Sequence, residues 1–222
     1  MKAGFFNHRE FIWYVTNYKT LNIRGRYGSG KTLLSVALAY ELWKQNYIKH
    51  ILASFPMNGM KNQLDGIDGD FVMLLDEAGL ILDSREFGRN ASKEWLKDLR
   101  KRKIILVLPS VIDVDKRFRQ VVVQRIFMFG NIFWIYRYQV GDGLGVEDGW
   151  FGLWKPSWYF GTYDTDYIVE DEDFEKLLDV MARGKGKKIQ EKNNGFVPIL
   201  SDEEFEFESK VSTKDIKFPW SK

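Results

Sequence analysis

Gly25-Arg26-Tyr27-Gly28-Ser29-Gly30-Lys31-Thr32 is the stretch that decides how this chain is read. It fits Gly-x-x-x-x-Gly-Lys-Thr, a complete Walker A loop. Glycines let such a loop wrap until successive backbone N–H groups point inward at phosphate oxygens. The helix that follows adds its partial positive end at the same place. Lys31 is the point charge for the β- and γ-phosphates, and the Thr32 hydroxyl is a ligand for Mg²⁺. All eight residues are therefore candidates for nucleotide contact.

The flanks have the context that the loop requires. Thr20-Leu-Asn-Ile-Arg24 is a short strand, and Leu33 to Gln45 is mostly apolar and rich in helix formers. Ile51 to Phe55 is a second strand, stopped by Pro56, and Asn58 to Gly69 reads as a loop. Phe71-Val-Met-Leu-Leu75 is a continuous apolar run, as in a strand buried on both faces of a parallel sheet. A helix with a basic face is expected over Ala91 to Lys101, then a fourth strand over Ile104 to Leu108. This alternation predicts an α/β P-loop NTPase fold with a mostly parallel central sheet flanked by helices.

The C-terminal half reads differently. Asp115 to Gln120 starts a polar element, and Arg125–Phe129 and Ile132–Tyr138 are strands meeting at a Gly130-Asn131 hairpin turn. Gly141 to Gly152 reads as a glycine-rich loop, and Trp150 to Tyr163 as an aromatic, proline-broken stretch. Asp171 to Arg183 reads as a helix, Gly184 to Lys188 as a linker, and the last thirty residues as a polar tail. The expected organisation is a helical or irregular lead-in over 1–19, a P-loop domain over 20–183 ending in a β-hairpin and aromatic extension, and a charged linker and tail over 184–222.

A second acidic signal completes the first. Asp76 and Glu77 end the apolar strand at Phe71–Leu75. Asp76 is the expected support for Mg²⁺, and Glu77 is the general base that polarises an attacking water. A kinase has less need of a fixed base for water, because its acceptor hydroxyl is the nucleophile. The Asp-Glu pair therefore favours hydrolysis over phosphotransfer.

Composition sets the outer limits. The 222 residues are 45% hydrophobic and 29% charged, enough to build one sizeable core. There is no Cys, which removes disulfides, thiolate metal sites and cysteine nucleophiles together. His8 and His50 are too few and too far apart for a histidine zinc site. No stretch approaches 18 uninterrupted apolar residues, and the start has no long apolar signal core, so a soluble, cytoplasmic chain is expected. Net charge is only +2, yet ten Lys and Arg face four acids between Lys93 and Arg125.

With these motifs in order, the sequence resembles the HerA–FtsK group of P-loop ATPases. Within that group it is most similar to Zot-like (zonular occludens toxin-like) ATPases and viral or plasmid DNA-packaging and DNA-transfer ATPases. The likeness rests on the Walker A loop, Ile51 to Asn58, Asp76-Glu-Ala-Gly-Leu-Ile-Leu-Asp-Ser-Arg85, and Leu99 to Leu108. Asp113-Val-Asp-Lys-Arg-Phe-Arg119 and Tyr159-Phe-Gly-Thr-Tyr-Asp-Thr165 extend it, so that it covers roughly residues 20 to 165. The resemblance implies a RecA-like fold, ATP with Mg²⁺, a homo-oligomeric ring around DNA, and an arginine reaching the neighbouring subunit's γ-phosphate. Arg119 matches that position first, with Arg117 and Arg102 behind it, and solvation at the surface is the plain alternative for each. Where the family's fourth strand ends in a polar sensor, commonly Gln, this chain has Pro109-Ser110, making Ser110 the shorter substitute. The lack of the transmembrane helix carried by phage-extruding Zot proteins points to packaging or transfer, with a capsid or transfer-machine component as partner.

Other features keep two readings each. Lys97 to Lys103 and Lys116 to Arg119 fit either a phosphate-backbone track, salt-dependent and without sequence preference, or a solvated face at a subunit contact. Trp150 to Phe160 fits base stacking or, more commonly, core and interface. At the level of function, the rivals are a small P-loop kinase and a nucleotide-dependent assembly protein with weak hydrolysis.

Overall fold

Short apolar runs rich in β-branched residues form the centre of the molecule. The computed structural model describes residues 3–57, 71–77, 101, 104–111, 114, 116–141 and 147–164. In chain order these build β1 (Gly4–Phe6), α1 (Arg9–Tyr18), β2 (Thr20–Arg24), α2 (Lys31–Lys44), β3 (His50–Ala53) and β4 (Phe71–Leu74). They continue with β5 (Ile105–Ser110), β6 (Val121–Phe129), β7 (Phe133–Val140) and β8 (Glu147–Trp154). Short 3₁₀ turns cover Lys116–Phe118 and Pro156–Tyr159.

All eight strands belong to one sheet, in the order β1-β8-β7-β6-β2-β5-β4-β3. From β3 to β6 the neighbours are parallel, and β7, β8 and β1 continue antiparallel. This is the α/β P-loop fold expected from the sequence, with the hairpin extension continuing its sheet. β4 and β5 are buried along their whole length, as strands covered on both faces must be.

α2 is apolar nearly all round because it is covered nearly all round. It packs on the parallel strands and is overlaid by the 3₁₀ turn at Pro156–Tyr159. α1 buries Phe11, Ile12, Tyr14 and Val15 and stops at Lys19, whose left-handed φ of 65° lets its N–H return to the Val15 carbonyl. Phe11 stacks on Phe151 of β8 with centroids 4.1 Å apart, so the start of the chain is packed against its aromatic extension.

Three local expectations change. The stretch Gly141 to Gly152 is not all loop, because Glu147 to Trp154 pairs with β7 on one side and β1 on the other. Its glycines make room for rings: a Cβ on Gly149 would lie 2.5 Å from Tyr138 Cζ, and one on Gly152 would overlap the Phe6 ring. β6 starts at Val121, four residues before the strand expected at Arg125, because Leu21 to Arg24 of β2 hold its first turn of ladder. The hairpin turn has three residues, Gly130 to Ile132, closed by Phe129 pairing with Phe133. The lead-in, open between helical and irregular in the sequence, is helical over Arg9–Tyr18 and adds the short strand β1 before it.

The loop at Asn58–Gly69, the helix at Ala91–Lys101 apart from Lys101, the helix at Asp171–Arg183, the linker and the tail lie outside the described residues. Among the described residues no helix is long and apolar enough to cross a membrane.

Candidate functional site

The phosphate loop leaves β2 at Arg24 and enters α2 at Lys31. Its shape explains its glycines. Gly28 and Gly30 have φ of +70° and +79°, in the left-handed region that side chains resist. Gly30 caps α2, and its carbonyl accepts the Leu34 N–H at 3.0 Å. A Cβ on Gly30 would also lie 2.5 Å from the ring of Trp134, so the loop is seated directly on β7.

Lys31 is 7% exposed, and its Nζ donates to the Arg26 carbonyl at 3.3 Å, across the loop that it follows. The same Nζ is 5.5 Å from the Tyr27 ring centroid, while Tyr27 itself is 78% exposed. The ammonium is thus held inside the curve of the loop by weak partners that a phosphate would outcompete.

The two acids close the site from β4. Asp76 Oδ2 accepts a 2.7 Å hydrogen bond from the Thr32 hydroxyl, and Asp76 Oδ1 accepts the Glu77 N–H at 3.1 Å. Ser54, just after β3, positions this turn: its Oγ accepts the Asp76 N–H at 3.0 Å while its own N–H donates to the Leu74 carbonyl. Glu77 has a left-handed φ of 51°, a conformation that costs a non-glycine residue about 1 kcal/mol and concentrates at functional turns.

Burial pushes the Asp76 carboxyl above its usual range, partly offset by the Thr32 hydroxyl, the Glu77 N–H and Lys31. Burial also raises Glu77, with Lys31 and the Val111 backbone opposing and the Asp76 charge adding to the rise. A carboxylate raised in this way is a stronger base at neutral pH. The donor set fits Mg²⁺ in its common mode of one carboxylate and one hydroxyl, with phosphate and water supplying the rest. Among the described residues no cluster of three or more His, Cys, Asp or Glu forms an all-protein cage.

β5 lies between β2 and β4, so its end points at the gap between loop and acids. Ser110 is there, 1% exposed and level with Arg24. Pro109 falls where it does least harm. Residues 105 and 107 face β4, and the ladder ends at Leu74–Val107 with a final bond from the Leu75 N–H to the Val107 carbonyl. The donor that Pro109 lacks would have continued that ladder, and its loss lets Asp76 and Glu77 turn away toward the loop.

The structure therefore brings together Gly25 to Thr32, Asp76, Glu77 and Ser110. Arg119 stands apart, after the 3₁₀ turn that holds Arg117, with its Nε donating to the Val114 carbonyl. Arg102, Asp113, Asp115 and the motif beyond Glu77 are outside the described residues. Sequence reasoning missed Ser54, Trp134 and Tyr163. Tyr163 bridges back to Met57, and its hydroxyl is raised to about 12 by burial first and the Asp76 charge second. Ser54 and Tyr163 lie in stretches that carry the family likeness but have no role of their own there, and Trp134 lies in none of them; only the fold brings the three to the loop.

No protein-family model matches the chain, and no curated protein matches it significantly. Among solved structures, the genome-packaging NTPase B204 of Sulfolobus turreted icosahedral virus 2, in complex with ATP-gammaS, aligns at 13% identity and a TM-score of 0.42. That alignment covers 60% of this chain and 97% of the viral one. The flagellar accessory protein FlaH from Methanocaldococcus jannaschii aligns at 11% identity and a TM-score of 0.34, over 63% of this chain and 87% of its own.

Proposed function

We propose that the chain is an Mg²⁺-dependent ATP phosphohydrolase that moves DNA, as a subunit of a homo-oligomeric packaging or transfer motor. The observation that carries the hydrolytic part is the Thr32–Asp76 hydrogen bond, which puts a metal-binding hydroxyl and carboxylate beside Lys31 and one residue from Glu77. DNA as the cargo, the ring and a capsid or transfer partner rest on the family resemblance and on the basic stretches, and a cytoplasmic setting follows from the same reading.

In this account the loop amides and Lys31 hold the β- and γ-phosphates, Lys31 exchanging the Arg26 carbonyl for phosphate oxygen. Thr32 and Asp76 hold the metal ion, which when bound neutralises charge on the phosphate oxygens. Glu77 accepts a proton from water as the water oxygen attacks the γ-phosphorus. The bond to the bridging oxygen breaks, leaving ADP and inorganic phosphate. Ser110 donates a hydrogen bond to the γ-phosphate from the end of β5. Arg119 acts on a neighbouring subunit's nucleotide, which requires its guanidinium to exchange the Val114 carbonyl for phosphate.

Nucleotide binding by Lys31→Ala is the direct test. Loss of ATP binding and turnover in a folded variant supports the reading, and unchanged binding and turnover would falsify it.

A further inference from the structure

Sheet order sets the direction in which a nucleotide can lie. On one flank of the loop, β5 and β4 bring Ser110, Asp76 and Glu77 to Lys31 and Thr32. On the other flank stand β6 and β7. A triphosphate with its last phosphate at the acids therefore directs its nucleoside toward β6 and β7.

Two side chains on that flank are prepared for a flat ligand. The Trp134 ring rests on Gly30, and its Nε1–H donates to the Gly130 carbonyl at 2.8 Å, which fixes the plane of the indole. The guanidinium carbon of Arg125 is 4.9 Å from the Trp134 ring centroid. Arg125 is half-buried, and among the described residues no carboxylate pairs with it. The β6–β7 register shifts between Arg125 and Phe127, a bulge of the kind that re-aims a side chain beside a site. The register partner of Arg125 is Tyr136, whose buried hydroxyl has no hydrogen-bond partner among the described residues.

We infer that Arg125, supported by Trp134, binds the nucleoside end of the nucleotide, an inference that rests on the phosphohydrolase reading above. The guanidinium stacks between indole and nucleobase, and its N–H groups face the ribose. The β- and γ-phosphates are already served by Lys31 and the loop amides, so Arg125 adds affinity for the nucleoside and none for the phosphate chain.

Calorimetric titration of ATP, ADP and inorganic tripolyphosphate into the full chain tests this, using wild type, Arg125→Ala and Arg125→Lys. Both variants are expected to bind ATP and ADP about tenfold more weakly, with tripolyphosphate unchanged. The lysine keeps charge and stem but lacks the planar group, and it decides the matter if the alanine variant loses its circular dichroism signature. A parallel loss for tripolyphosphate would make Arg125 a phosphate ligand and overturn the assignment. Unchanged ATP affinity in both variants overturns it as well. Wild type that binds neither ATP nor tripolyphosphate overturns the phosphohydrolase reading itself, and this inference with it.

Discussion

The hydroxyl of Thr32, at the start of α2, donates a 2.7 Å hydrogen bond to Oδ2 of Asp76 at the end of β4, joining positions 44 residues apart in sequence. Without a cation this bond is part of what keeps a carboxylate charged where burial opposes it. Asp76 is thus held in a place where its charge costs the fold stability. A carboxyl raised above its unfolded value favours the folded state at pH below its unfolded value, and that contribution is lost as pH rises through the raised value. At neutral pH Asp76→Asn should therefore raise the melting temperature of the ligand-free protein, by about 2–4 °C if the relief is about 1 kcal/mol. Scanning calorimetry with and without Mg²⁺ and ATP reads both effects, since the same variant should lose the Mg²⁺-dependent gain. A variant that melts lower when empty contradicts this.

Glu77→Gln keeps the shape of the turn and removes the base. Turnover should fall by about 10²–10⁴-fold while ATP affinity stays within a few-fold. Single-turnover hydrolysis alongside equilibrium binding separates the two, and equal losses in both would point to a structural role.

Gly30 combines a φ of +79° with a ring 2.5 Å from any added Cβ. Gly30→Ala should destabilise the fold by about 1–3 kcal/mol in urea titration. Adding Trp134→Ala removes the clash and leaves the strain, so the double variant should lose less than the sum of the singles. Simple additivity would mean that the ring is not the obstacle.

Glu41 on α2 receives Gln45 Nε2 and lies 3.5 Å from His8 Nε2. Burial, the largest single effect, raises its carboxyl, but His8, Gln45 and Lys44 together bring it below its usual range. A depressed carboxyl adds stability above its unfolded value that is lost as pH falls through its folded value. Wild type should therefore lose stability below about pH 4.5 more steeply than Glu41→Gln, as followed by chemical denaturation at pH 3 to 6.

The chemistry was legible in the sequence where it is local. Gly25 to Thr32 is recognisable as a loop of this kind from its spacing alone, and Asp76-Glu77 follows an apolar run of the length expected for a buried strand. What was not legible depends on distant partners. Gly149 and Gly152 look like loop glycines until Tyr138 and Phe6 are placed over them. Ser54 is an ordinary serine until β3 and β4 pair and its hydroxyl meets the Asp76 N–H. Trp134 and Arg125 read as strand residues, because only the order β7-β6-β2 carries them to the phosphate loop.

Steady-state ATP hydrolysis with Mg²⁺, measured with no DNA, single-stranded DNA and double-stranded DNA, tests the central claim most directly. Glu77→Gln serves as the control. The account predicts turnover that DNA stimulates and that the variant lacks under every condition. Turnover indifferent to both forms of DNA, or equal in the variant, would contradict it.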